Sequence, residues 1–224
     1  MIRRSELVKM IDHTLLKPQA TESDVARLVE EGLKYGFHAV VVNPYYVPLA
    51  VRLARDSSLR VCSVVGFPLG ATLPEVKARE AELVGRQGAS EVDMVINVGA
   101  LRSGLDDVVL EDVRGVVRAF REVVPGGIVK VILETGLLSR EEIEAACALV
   151  EEAGADFVKT STGFGPRGAT VEDVRLLRSL VGDRLGVKAA GGIRTYEQAV
   201  AMIEAGANRI GTSSGVKIAE GAPE

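Results

Sequence analysis

Two lysines and an aspartate stand in this 224-residue chain where a charge has little reason to survive. Asp93 interrupts the apolar run Val92-Asp93-Met94-Val95, Lys159 follows Phe157-Val158, and Lys188 follows Gly186-Val187. Each run reads as a buried strand, and taking a lone ammonium or carboxylate out of water is costly unless it is paired or neutralised. Such a set can do amine chemistry. A lysine with an ordinary pKa of about 10.4 is protonated and not nucleophilic near neutral pH. A second ammonium and desolvation both favour the free amine, which can attack an aldehyde and form an imine. The protonated imine is an electron sink, so the adjacent carbon can lose a proton or a C–C bond while an acid/base group moves protons. Lys159 and Lys188 lie at matching positions near the ends of neighbouring strands, and Asp93 lies on an earlier one. A single lysine near a strand end is more often solvated or salt-bridged. Lys130, which opens an apolar run, is read in that way, reaching solvent at the bottom of the sheet.

A second set lies in loops. Thr160-Ser161-Thr162-Gly163, Gly191-Gly192-Ile193-Arg194 and Gly211-Thr212-Ser213-Ser214 each follow a strand. Glycines expose backbone N–H groups, hydroxyls donate, and a following helix N-terminus favours an anion. Each loop alone reads equally as a turn; together they point to a phosphate.

The elements that must position these groups alternate along the whole chain. Short apolar, β-branched runs at residues 10–15, 37–43, 60–65, 91–97, 129–134, 156–160, 185–190 and 208–212 read as parallel strands buried on both faces. Amphipathic stretches between them read as helices, over 22–35, 74–87, 110–123, 140–153, 171–180 and 196–205. Thr21, Ser139 and Thr195 are candidate N-caps, with Asp24, Glu142 and Gln198 at the capping-box position. Gly36, Gly88, Gly154 and Gly206 mark helix ends. The unit of helix end, glycine and strand recurs. With no linker, these units predict an α/β fold, one (β/α)₈ TIM barrel over residues 1–224, with active groups at the C-terminal ends of the strands. An open doubly wound sheet is disfavoured, since no G-x-G-x-x-G follows the first strand.

Composition narrows the function. A formal net charge of -4 without a basic cluster gives no support to nucleic-acid binding. The two cysteines, Cys62 and Cys147, and the two histidines, His13 and His38, make no zinc set and no CxxC. Unpaired thiols, an N-terminus without an apolar signal core and no long apolar stretch point to a cytoplasmic protein that does not enter a membrane. His13, next to Asp12, is read either as reaching the site or as facing the outer helices, Cys62 as core, and Tyr45 and Tyr46 as packing at the mouth or an interface.

The segments Phe157-Val158-Lys159-Thr160-Ser161-Thr162-Gly163, Val187-Lys188-Ala189-Ala190-Gly191-Gly192-Ile193-Arg194, Glu91-Val92-Asp93-Met94-Val95-Ile96-Asn97 and Ile11-Asp12-His13-Thr14-Leu15-Leu16 resemble the deoxyribose-phosphate aldolase family. The likeness runs from about Lys9 to Ser214. It implies reversible cleavage of 2-deoxy-D-ribose 5-phosphate to acetaldehyde and D-glyceraldehyde 3-phosphate. By that resemblance Lys159 forms the Schiff base, Lys188 lowers its pKa and helps move protons, and Asp93 gives and takes protons. Asp12 holds Lys188 and substrate hydroxyls, assisted by Thr14. Thr162, Gly163, Gly191, Gly192, Arg194, Gly211, Ser213 and Ser214 line the phosphate site. No metal or organic cofactor is expected, the partners are the small phosphorylated sugar and acetaldehyde, and a homo-oligomer, dimer or tetramer, is anticipated. Another Schiff-base aldolase and a non-catalytic phosphate-binding barrel are the alternatives. The sequence departs from the family pattern at Phe164, where members often carry a phosphate-side lysine. It departs again at Asn43, where some carry a cysteine. The chain also shows no terminal tyrosine, used by longer members in proton transfer.

Overall fold

In the computed structural model, which describes residues 2–224, eight parallel strands close into a barrel in the order of the chain. They are β1 (Ile11–Leu15), β2 (Ala39–Val42), β3 (Arg60–Val65), β4 (Glu91–Val95), β5 (Ile128–Ile132), β6 (Phe157–Lys159), β7 (Gly186–Ala190) and β8 (Arg209–Thr212). The helices are α1 (Arg4–Leu7), α2 (Glu22–Tyr35), α3 (Val47–Leu53), α4 (Pro74–Arg86), α5 (Val98–Arg102), α6 (Asp106–Val123), α7 (Arg140–Glu152), α8 (Val171–Val181), α9 (Tyr196–Glu204) and α10 (Gly215–Gly221). The predicted eight-stranded TIM barrel is therefore the observed fold.

Local signals set most boundaries. Thr21, Ser139 and Thr195 each accept from the backbone N–H three residues on, and Asp24, Glu142 and Gln198 complete the capping boxes. Gly36 ends α2 in the left-handed conformation at φ 69°, which a residue with a Cβ resists. The helix predicted over 110–123 starts one turn earlier, at Asp106, because Leu105 has no capping side chain and the start is signalled by Asp106 and Asp107 in the first turn.

Strand residues divide by parity. One face of the strands, including Val40, Val92, Met94, Val131, Val158, Val187 and Ile210, packs with the helices in one large apolar core. From α6 this core takes Val109, Val113, Val116, Val117 and Phe120, a helical stripe. The other face fills the barrel. Its β2–β3 side is apolar, with Val41, Cys62 and Val64 packed together with Leu16, which follows β1, under Phe67. The rest is charged. Register keeps the charged residues on one face: Asp93 pairs with Lys130, Lys159 with Lys188, and Lys188 with Arg209.

One buried ion pair lies outside the barrel. Lys77 on α4 donates to Asp112 on α6 at 2.5 Å and to the Val95 carbonyl at 3.0 Å, and neither side chain reaches solvent. Burial pulls Lys77 down and pushes Asp112 up, so the pairing does not offset its own desolvation. Lys77→Met is therefore expected to lower the unfolding free energy by about 3–5 kcal/mol, because it strands the Asp112 carboxylate. The double variant Lys77→Met/Asp112→Leu should regain wild-type stability or exceed it. Urea titration at neutral pH checks both, and an undestabilised single variant would show that the α4–α6 packing does not depend on the pair.

Candidate active site

At the C-terminal end of the barrel a cavity of about 410 Å³ opens between the β1, β6, β7 and β8 loops. Its wall takes in Thr14 on β1 and Lys17 after it, Thr162, Gly163 and Phe164 after β6, Gly191, Gly192 and Arg194 after β7, and Gly211 and Ser213 on β8 and the loop after it. Lys159, the last residue of β6, also lines it. Ser214 does not; its N–H turns to the Thr212 hydroxyl at 2.9 Å. Thr14 donates to the Asp12 carbonyl at 2.9 Å.

Beneath Lys159 the predicted catalytic residues converge. Asp93 Oδ2 accepts from Lys159 Nζ and from Lys188 Nζ, both at 2.7 Å. Lys188 also donates to Asp12 Oδ2 at 2.5 Å. Asp12, Asp93 and Lys188 are fully buried.

Three further groups complete this network, and they were not singled out from sequence as site residues. Lys130, expected to reach solvent, is fully buried and donates to Asp93 Oδ1 at 2.9 Å, with Glu91 Oε2 at 2.6 Å. β4 and β5 are in register at Asp93 and Lys130, so the lysine that opens an apolar run still points into the barrel. Glu91 lies two residues before Asp93 and so shares its inward face; period-two parity was the signal for it. Arg209 reaches Asp12 Oδ1 at 3.0 Å and Glu91 Oε2 at 3.3 Å.

The charges can be counted. Three buried carboxylates, Asp12, Glu91 and Asp93, face four buried cationic side chains, Lys130, Lys159, Lys188 and Arg209. The half-exposed Arg60 touches Glu91 from the rim and is screened by solvent. One buried cation is in excess, and the surroundings choose which. Burial pulls all four down. At Lys130, Lys188 and Arg209 the adjacent carboxylates outweigh it and hold the groups above their usual range. At Lys159 burial wins over the attraction of Asp93, and the Lys188 ammonium adds to it, so Lys159 sits below the usual lysine range. Burial would raise Asp93, but Lys130, Lys159 and Lys188 hold it well below the usual carboxylate range, so it stays ionised. A neutral Lys159 leaves the buried set balanced, which is the state a nucleophilic amine needs.

Asp12, His38 and Glu91 come close enough together to suggest a metal site. The donor atoms are already used: Asp12 by Lys188 and Arg209, and Glu91 by His38, Arg60, Lys130 and Arg209. An ion there would have to displace buried cations, so the residues do not fit one.

His13 faces outward to Glu31 on α2, at 2.7 Å, and packs on Phe37. Cys62 is buried as expected, but on the inward face, 3.3 Å from Asp93 Oδ1. Tyr46 donates to the Ala20 carbonyl at 2.5 Å, while Tyr45 is exposed beside it. Phe164 stacks edge-on against Phe67 across the mouth, with ring centroids 5.3 Å apart.

A parallel eight-stranded barrel with an amine of lowered basicity at its mouth, held by a carboxylate and a second ammonium, has the architecture of a Schiff-base aldolase. The chain belongs to the DeoC/LacD family of aldolases, whose family model matches residues 7–221. It is 60% identical over 219 residues to a deoxyribose-phosphate aldolase from Thermococcus gammatolerans, covering 97% of this chain and 96% of that one. It is 58% identical over 225 residues to a deoxyribose-phosphate aldolase from Thermococcus kodakarensis, covering 100% of each. The tetrameric deoxyribose phosphate aldolase structure from Aeropyrum pernix superposes with a TM-score of 0.90 at 42% identity, over 97% of this chain and 91% of that one.

Proposed function

We propose that this protein reversibly cleaves 2-deoxy-D-ribose 5-phosphate to acetaldehyde and D-glyceraldehyde 3-phosphate through an imine on Lys159. The observation that carries the reading is the excess buried cation at Lys159, above a carboxylate it shares with Lys188. The free amine adds to the sugar aldehyde and water leaves, giving the protonated imine. The 3-hydroxyl proton passes towards Asp93, the C2–C3 bond breaks, and its electron pair moves into the imine as an enamine. Glyceraldehyde 3-phosphate departs. Protonation of the enamine at C2, with Asp93 and Lys188 in contact to pass the proton on, and hydrolysis then release acetaldehyde.

The phosphate is taken by the glycine loops at 163, 191–192 and 211 and by Ser213, all on the cavity wall. Phe164 brings no charge where family members often carry a lysine. Lys17 and Arg194, both exposed and both on the cavity wall, supply it instead. The tetrameric relative supports a homo-oligomer, and the free thiols Cys62 and Cys147 support a cytoplasmic setting.

The test is chemical. After incubation with deoxyribose 5-phosphate or acetaldehyde and reduction with borohydride, a two-carbon adduct is expected on Lys159, and none in Lys159→Leu. An adduct on Lys188 would exchange the roles of the two lysines. A folded protein giving no adduct would leave a phosphate-binding barrel as the better account.

A further inference from the structure

Glu134 follows β5 by two residues and is not part of the network around Lys159. It combines three features seldom found together. Its backbone is left-handed, at φ 58° and ψ 60°, and the other non-glycine residue with positive φ among the described residues, Asp56, lies in an exposed turn. Strain of that kind persists only where the surroundings fix it, and its location is informative. Its side chain is buried, although it is a carboxylate. Finally, that carboxylate is directed at the loop after β6. Oε2 accepts from both the N–H, at 3.3 Å, and the hydroxyl of Thr162. Oε1 is buried without a partner.

The loop is moulded around this group. A Cβ placed on Gly165 would lie 2.7 Å from Glu134 Cδ and 2.8 Å from Oε1, so the backbone of residue 165 rests on the carboxylate. The Thr162 hydroxyl, donating inward to Glu134, accepts from the Phe164 N–H at 3.0 Å. The amides of Thr162 and Phe164 are thus used inside the loop. The Gly163 N–H between them has no partner among the described residues, and Gly163 lines the cavity. Backbone pairing holds Glu134 in place from both sides: Leu133 N–H donates to the Lys159 carbonyl and Thr135 N–H to the Thr160 carbonyl, each at 2.9 Å.

We propose that Glu134 is a positioning residue for the phosphate end of the substrate, fixing the loop of residues 162–165 so that the Gly163 amide is free for the anion. The proposal rests on the phosphate reading above. An outward-facing carboxylate would repel a phosphate; here the carboxylate is turned away from the cavity wall onto Thr162, and the shape it imposes on the loop is what reaches the cavity.

The test compares deoxyribose 5-phosphate with unphosphorylated deoxyribose. Glu134→Gly suits the backbone and removes the carboxylate. Gly165→Ala attacks the same contact from the loop side and keeps Glu134. Both should raise KM for the phosphorylated sugar by about tenfold or more, as expected for loss of a charge-assisted contact. Both should weaken inhibition by inorganic phosphate in parallel, while kcat/KM for deoxyribose and the acetaldehyde adduct on Lys159 stay unchanged. Glu134→Gln, which keeps an acceptor for Thr162, should behave as wild type. Equal losses on both sugars, or no loss in either folded variant, would overturn the proposal. A wild-type protein that forms no adduct would instead overturn the aldolase reading itself.

Discussion

Asp93→Asn is expected to lower kcat for aldol cleavage by roughly 10²–10⁴-fold, the range for losing a positioned proton-transfer group. The imine should nevertheless still form. Asp93 draws Lys159 towards its charged state, so removing the carboxylate favours the free amine. The variant therefore separates two steps that the wild type runs together. In D₂O the wild type should exchange the methyl protons of acetaldehyde through the enamine. Asp93→Asn should give the borohydride-trapped adduct on Lys159 while exchange, followed by proton NMR, slows in step with kcat. Undiminished exchange would remove Asp93 from proton transfer. The substitution also takes one of two buried carboxylates from Lys130, which keeps Glu91, and from Lys188, which keeps Asp12, so some loss of stability is expected alongside. The kinetics should be read below the variant's own melting range.

Lys188→Met acts on the other term. The Lys188 ammonium pushes Lys159 down, and its removal leaves Asp93 acting on Lys159 without that opposition. Lys159 then titrates at higher pH. Imine formation needs the neutral amine, so its rate rises with pH through the Lys159 pKa, and the acid limb of the profile should move upward. At neutral pH the rate should fall by roughly 10²–10⁴-fold, since a proton-transfer partner is lost as well. Part of the loss should return as pH is raised. A profile that drops uniformly, with its acid limb unmoved, would mean that Lys188 does not tune Lys159.

Much of this arrangement could be read from the chain. The capping boxes at Thr21, Ser139 and Thr195 and the glycine stops are local signals, and the elements they bound fell within a turn of prediction. Lys159, Lys188 and Asp93 stood out because each breaks an apolar run. Lys130 and Glu91 were harder, because each stands at the start of the apolar run read from sequence, where a charge is ordinarily solvated; in the structure Glu91 opens β4 and Lys130 is the middle residue of β5. Parity with Asp93 places Glu91 inside, and the register between β4 and β5 places Lys130 there. Arg209 closes the same network from β8, and its partners are 118 and 197 residues away. Glu134 carries no signal of its own, since its backbone conformation and the loop it holds are products of the folded barrel. The short helices α1, α3, α5 and α10 were not predicted at all; at four to seven residues they show too little periodicity.

The charged filling of the barrel also bears on temperature. Hydration of ions carries a strongly negative entropy, so the penalty for holding them away from water shrinks on heating, while the gain from apolar burial levels off. A barrel packed with valine and isoleucine throughout would gain nothing from that trend. Here the side chains that set the basicity of Lys159 are among those whose burial becomes less unfavourable on warming. The charged interior around Lys159 is thus less costly to keep from water as the temperature rises.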